Sequence, residues 1–139
     1  MSHYTRVKTQ LKNTAALLQA LADLGFGPAK IKHDTTGKQH LEGYEGKLRG
    51  QTAEVIIPRK YVQHAANDIG FQKQEDGTYE AIISQFDSNK YGKEWQGKLT
   101  QRYAYNNLKA ELGDQGFFIE SEREEKGEIF LQVGTSFGG

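Results

Sequence analysis

Four histidines, His3, His33, His40 and His64, are the side chains of this sequence best suited to binding a metal or passing a proton. Their spacing suits neither task, since no two fall at the separation that sets paired imidazoles on one helix face. His33 and His40 could meet across a turn at 35–38, but only Asp34 or Glu42 lies nearby as a further ligand, so no metal is expected. The absence of cysteine removes disulfides, thiolate nucleophiles, Fe–S clusters and cysteine-type zinc sites. Asp76-Gly77 has the chemistry of a turn and lacks the surrounding pattern of a calcium loop. No phosphate loop, dinucleotide fingerprint or serine elbow occurs, and no cofactor is expected. Motif-free acid–base work would fall to Asp68, Tyr79 or Arg102 in a cleft.

The run Arg102-Tyr103-Ala104-Tyr105, with Trp95 about two turns before Arg102, supports two readings. In one, the tyrosine rings pack and give their hydroxyls to polar partners, while Arg102 pairs with a carboxylate such as Asp68 or Glu80. In the other, Trp95, Arg102, Tyr103 and Tyr105 form a partner-binding surface, because Trp, Tyr and Arg are the residue types that dominate interface energetics. The leading functional expectation is a non-catalytic accessory protein that acts by protein–protein contact. The alternative is RNA or single-stranded nucleic-acid binding through 90–109, with bases stacked on Tyr103 or Trp95 and charge from Lys90, Lys93, Lys98, Arg102 and Lys109. Glu94 and the acidic stretch 120–128 dilute that cluster.

Two helices must position these residues. Asn13 or Thr14 caps the first, Leu17, Ala20, Leu21 and Leu24 form its apolar face, and Gly25-Phe26 closes it. The second runs from about Trp95 or Lys98 to Leu112, with Tyr105, Leu108 and Leu112 on one side and Leu99, Tyr103 and Ala110 nearly opposite. A helix apolar on two sides is covered on both or keeps one for a partner. Strands are expected at 29–33, 39–46 and 53–57. A two-residue turn at Asp76-Gly77 would pair Phe71 with Ile82 and Lys73 with Glu80. At the C-terminus a three-residue loop is preferred, because a two-residue turn at Lys126-Gly127 would set Ile129 and Leu131 beside Glu124 and Glu122. The tail 134–139 is expected to fray. The expected fold is α+β: residues 1–139 as a single domain, an antiparallel sheet of about six to seven strands, and two main helices on one face. The first and last thirds both read helix, Gly-Phe, two strands, which suggests a pseudo-duplicated unit.

Composition narrows the class further. Charged residues are 26% and hydrophobic ones 36%, as in a folded chain with a polar surface. Lys plus Arg and Asp plus Glu are 18 each, leaving no global field to attract nucleic acid or anionic lipid. No apolar run approaches the ~20 residues of a membrane span, and the start does not read as a targeting peptide. A soluble protein that stays where it is made is expected.

Three stretches carry a family resemblance. They are Met1-Ser2-His3-Tyr4 with Lys8-Thr9-Gln10 and Asp23-Leu24-Gly25-Phe26; Gln51 to Ile57 with Asp68-Ile69-Gly70-Phe71 and Tyr79-Glu80; and Gln101-Arg102-Tyr103-Ala104-Tyr105 with Gly116-Phe117. In this order they resemble the hypothetical chloroplast reading frame thirty-five family, a group of unknown function found in cyanobacteria and algal plastids. The stretch 59–66 and the glycine-rich end depart from the pattern. The resemblance implies a cyanobacterial or plastid setting, hence cyanobacterial cytosol or plastid stroma, and no established activity; the expected accessory role in that setting is in assembly or regulation linked to photosynthetic metabolism.

Overall fold

The computed structural model describes residues 3–135. In chain order come β1 (Tyr4–Lys8), α1 (Thr14–Asp23), a 3-10 turn (Pro28–Lys30), β2 (Lys32–His33), β3 (Gln39–Glu42), β4 (Leu48–Ala53) and β5 (Val55–Ile57). They are followed by α2 (Arg59–Val62), β6 (Ile69–Lys73), β7 (Tyr79–Ser84), a second 3-10 turn (Asp87–Asn89), α3 (Lys93–Asp114), β8 (Phe117–Glu125) and β9 (Glu128–Thr135). The central antiparallel sheet has the order β1-β7-β6-β5-β2, and β3–β4 and β8–β9 are separate two-stranded ribbons. The α+β class therefore stands, with nine strands in three sheets among the described residues where six to seven in one were expected.

α1 forms for local reasons. The Asn13 side chain accepts the Ala16 N–H at 3.1 Å, taking up one of the free donors of the first turn. At the other end Gly25 (φ +100°) lets the Phe26 N–H return to the Leu21 carbonyl at 2.8 Å and its own N–H to that of Ala22 at 3.0 Å. This doubly bonded glycine stop turns the chain so that Phe26 is buried against the helices.

The central sheet is covered on both faces. Leu17 and Leu21 of α1 and Leu99 of α3 pack on Val55, Ile57, Ile69, Phe71, Ala81 and Ile83. On the reverse face Leu41 and Ala53 of the β3–β4 ribbon pack on Ile56 and Ile82. The chain crosses between these layers at Glu54, so the single strand expected over 53–57 is two. Residues 29–33 likewise divide into a 3-10 turn, started by Pro28, and the two-residue β2.

Both expected hairpin registers are corrected. At the β6–β7 turn the Asp76 carboxylate accepts the N–H and hydroxyl of Thr78 at 2.9 and 2.6 Å, and the Gln74 N–H reaches the Thr78 carbonyl at 2.7 Å. These bonds fix a three-residue loop, and Phe71 pairs with Ala81 rather than Ile82. The one-residue shift sends Phe71 to the helix face and Ile82 to the ribbon face, so each layer receives a large apolar side chain. In β8–β9 the turn is the two-residue one: Lys126 (φ +51°) and Gly127 (φ +81°) are both left-handed, and Glu124 and Glu122 oppose Ile129 and Leu131. A bulge at Glu120 then shifts the register by one residue, so that Ile119 pairs with Val133 and Phe117 with Thr135.

The first and last thirds diverge after their glycine–phenylalanine junctions. Phe26 is buried and leads to β2 in the central sheet, whereas Phe117 is 42% exposed and opens a separate ribbon. Within the expected frayed tail, Gly134 and Thr135 belong to β9; residues 136–139, like Met1 and Ser2, lie outside the described residues.

Candidate functional site

α3 is the longest helix among the described residues, at 22 residues, and its two sides do different things. One side locks onto α1. Tyr103 is buried, and its hydroxyl accepts the N–H groups of Asn13 and Lys12 at 2.8 and 2.9 Å. Trp95, half-buried, meets Tyr91 and Phe26 edge-on with ring centroids 5.1 and 6.3 Å apart. Arg102 donates from Nε to Asp23 Oδ2 at 3.0 Å, and Asn106 donates to the same oxygen at 2.8 Å. Burial pushes the Asp23 carboxyl up, but the hydrogen bonds from Asn106, Gln19 and Arg102 and the arginine's charge outweigh it and lower the pKa.

The other side of α3 carries the β8–β9 ribbon. Interaction with the Glu122 carboxylate, together with burial, raises the Tyr105 pKa. At the far end the Gln101 side chain donates to the Gly127 carbonyl, so the ribbon runs back along the helix. In the register that sequence alone disfavours, Glu122 beside Leu131 has the Tyr105 hydroxyl of α3 as a polar neighbour. Between helix and ribbon lies a cleft of about 470 Å³ lined by Tyr105, Lys109, Phe117 and Glu122, among others.

Of the four residues expected to form a patch, the structure brings Arg102 and Tyr105 together, the guanidinium carbon 4.4 Å from the ring centroid. Trp95 joins the Phe26–Tyr91 cluster and Tyr103 holds the start of α1. The carboxylate partner of Arg102 is Asp23 instead of Asp68 or Glu80.

Five of the eight large apolar side chains that stay exposed among the described residues lie here: Leu108 on α3, and Phe117, Phe118, Phe130 and Val133 on the β8–β9 ribbon, the C-terminal arm. The register puts Phe118, Ser121, Arg123, Phe130 and Gln132 on the ribbon face turned away from Glu122, Ile129 and Leu131. There the Arg123 guanidinium carbon lies 4.8 Å from the Phe130 ring centroid, and the Ser121 hydroxyl donates to Gln132 at 3.2 Å. Sequence reasoning passed over Phe118 and Phe130. Alternation along β9 sets Phe130 on the face opposite Ile129 and Leu131, and the bulge at Glu120 brings Phe118 onto that same outer face.

The other acid–base candidates serve as ties between elements. Asp68 accepts the N–H groups of Arg59 and Glu42 at 2.7 and 2.8 Å, joining α2 and the β3–β4 ribbon to β6. Burial raises its pKa despite those bonds and the nearby Lys32. Asp87, fully buried, accepts from Ser84, Gln63 and both nitrogens of Asn67 at 2.6 to 3.2 Å. The Tyr79 hydroxyl bonds to Thr14 Oγ1 at 2.6 Å. His33 lies in β2, and His40 Nδ1 is 2.7 Å from the Arg49 carbonyl. Among the described residues no three His, Cys, Asp or Glu side chains gather at metal-binding distance. No helix among them is long and apolar enough to cross a membrane.

Residues 20–131 match the family described as Protein of unknown function (DUF1257). A relative from Guillardia theta, named Uncharacterized protein ycf35, is 33% identical over 136 residues, covering 96% of each chain. One of the same name from Cyanophora paradoxa is 34% identical over 140 residues, again covering 96% of each. No solved structure matches the chain. Matched in both ways along most of its length, the chain belongs to the DUF1257 family, alongside the ycf35 proteins its sequence resembles.

Proposed function

We propose that this protein is a non-catalytic accessory factor that acts by protein–protein contact, and that the contact is made by the C-terminal arm. Its setting, by family resemblance, is the cyanobacterial cytosol or plastid stroma, in assembly or regulation linked to photosynthetic metabolism. The observation that carries this proposal is the concentration of exposed Phe118, Phe130, Phe117 and Val133 on a ribbon that has α3 as its principal neighbour. Exposed apolar side chains grouped on one element, with an arginine stacked among them, have the composition of an interface core rather than of a solvated surface. Arg102 and Tyr105 flank the arm, while Trp95 and Tyr103 keep α3 fixed to the body and so hold the arm in place.

Nucleic-acid binding through 90–109 draws less support from the geometry. Arg102 is engaged by Asp23, Lys98 lies 3.9 Å from Glu94, and Lys90 sits over the Tyr91 ring. The test is quantitative affinity purification from the native cell with the wild type and a Phe118→Ser/Phe130→Ser variant. A stoichiometric protein partner, lost with the variant, supports the arm as the contact surface. Equal capture by both chains would remove it, and a nucleic acid as the stoichiometric companion would replace it with the competing function.

A further inference from the structure

We infer that the outer edge of β9 is a self-association edge, through which two copies of this chain join their ribbons into one four-stranded antiparallel sheet, β8-β9-β9-β8. This rests on the arm being a protein-contact surface and names the occupant of its edge. β9 is paired with β8 on one side and with no strand on the other among the described residues. Its eight residues, Glu128 to Thr135, hold one charge and no proline. Edge strands left unpaired in solution are ordinarily blunted by charges, prolines or bulges, and β9 carries its single charge at its first residue.

Charge decides between the two open edges. β8 holds Glu120, Glu122, Glu124 and Glu125 against Arg123, a net of −3, whereas β9 holds Glu128 alone. Antiparallel pairing of β8 with a second β8 about Ser121, Glu122 or Arg123 sets glutamate opposite glutamate in every case, and like charges directly opposed are destabilising. Pairing of β9 with a second β9 about Leu131 instead opposes Leu131 to Leu131, Ile129 to Val133, Phe130 to Gln132 and Glu128 to Gly134. Each apolar helix-side residue meets another, and the lone charge meets a glycine.

The symmetry also preserves the faces. A two-fold axis normal to the sheet keeps Ile129, Leu131 and Val133 of both copies on one side and Phe118, Arg123 and Phe130 of both on the other. Each ribbon therefore keeps its own α3, and the joined outer face doubles its exposed phenylalanines.

The chain has no cysteine, so one introduced thiol reports the register without background. Under mild oxidation the full-length Leu131→Cys variant is expected to form a cross-linked dimer, and Ser121→Cys is expected to stay uncross-linked. Sedimentation velocity of the wild type should give a species of twice 15.6 kDa at concentrations on the order of 100 µM. The Phe130→Lys/Gln132→Lys variant and the Phe130→Glu/Gln132→Glu variant should each be monomeric with unchanged circular dichroism, and should associate when mixed. A monomeric wild type, or cross-linking through Ser121→Cys in place of Leu131→Cys, overturns the inference. If the wild type is monomeric while the Phe118→Ser/Phe130→Ser variant still loses a different protein partner, the self-association edge fails and the contact function stands.

Discussion

The Tyr103 hydroxyl accepts the backbone N–H of Asn13 at 2.8 Å, so α3 holds the residue that caps α1. The same oxygen takes the Lys12 N–H at 2.9 Å, and the Asn13 carbonyl receives the Leu17 N–H of α1's first full turn at 3.0 Å. One side chain thus satisfies two backbone donors at the joint between the main helices. Removing the hydroxyl leaves both donors without their partner in a part-buried site. Tyr103→Phe is expected to destabilise by about 1–3 kcal/mol in urea unfolding followed by Trp95 fluorescence. A change within a few tenths of a kcal/mol would show that the hydroxyl is replaceable by solvent.

Gly70 marks where the β3–β4 ribbon comes closest to the sheet. A Cβ there would lie 3.0 Å from both Leu41 methyl carbons and 3.1 Å from the Ala53 Cβ. Those side chains are fully buried and have little room to retreat. Gly70→Ala is expected to cost about 1–3 kcal/mol by overpacking, measured as a lower urea midpoint with the slope unchanged. An unchanged midpoint would mean that the ribbon floats over the sheet.

Asp23 and Asp68 act with opposite signs in acid. Asp23 has a lowered pKa, so its contribution to stability is present above the unfolded value, near 3.9, and is lost as pH falls through the folded one. Asp68 has a raised pKa, so its contribution is present below the unfolded value and is lost as pH rises through the folded one. Asp23→Asn is therefore expected to be less stable than the wild type near neutral pH, with the gap closing in acid. Urea midpoints for both proteins from about pH 7 to about pH 3 check this. A gap that stays constant with pH would show that packing, rather than the Arg102 pairing, is what the substitution removes.

What could be read from the sequence was what short-range chemistry decides. α1 was legible from Asn13 to Phe26 because its cap and its glycine stop are bonds within a few residues. The α+β class and the placing of two main helices on one face followed from periodicity. The hairpin registers did not, because each involves side-chain or backbone features that alternation ignores: the Asp76–Thr78 bond in one, the bulge at Glu120 in the other. The candidate surface was half legible for a related reason. Tyr103 has the composition of a contact residue, and only its meeting with Asn13, 90 positions away, turns it inward. Phe130 faces away from Ile129 and Leu131 by alternation alone, whereas Phe118 joins it through the bulge at Glu120, which no pattern in the sequence announces.

Site-specific photo-cross-linking in the native cell tests the contact function most directly. A photoreactive amino acid in place of Phe130 samples the outer face of the ribbon, and the same group in place of Tyr61, on α2 beside Lys60, samples a surface away from the arm. The expected result is a discrete cross-linked polypeptide from position 130, whether a second copy or another protein, and none from position 61. Cross-links of equal strength at both positions, or none at position 130 in a chain shown to be folded, would contradict the arm as the site of contact.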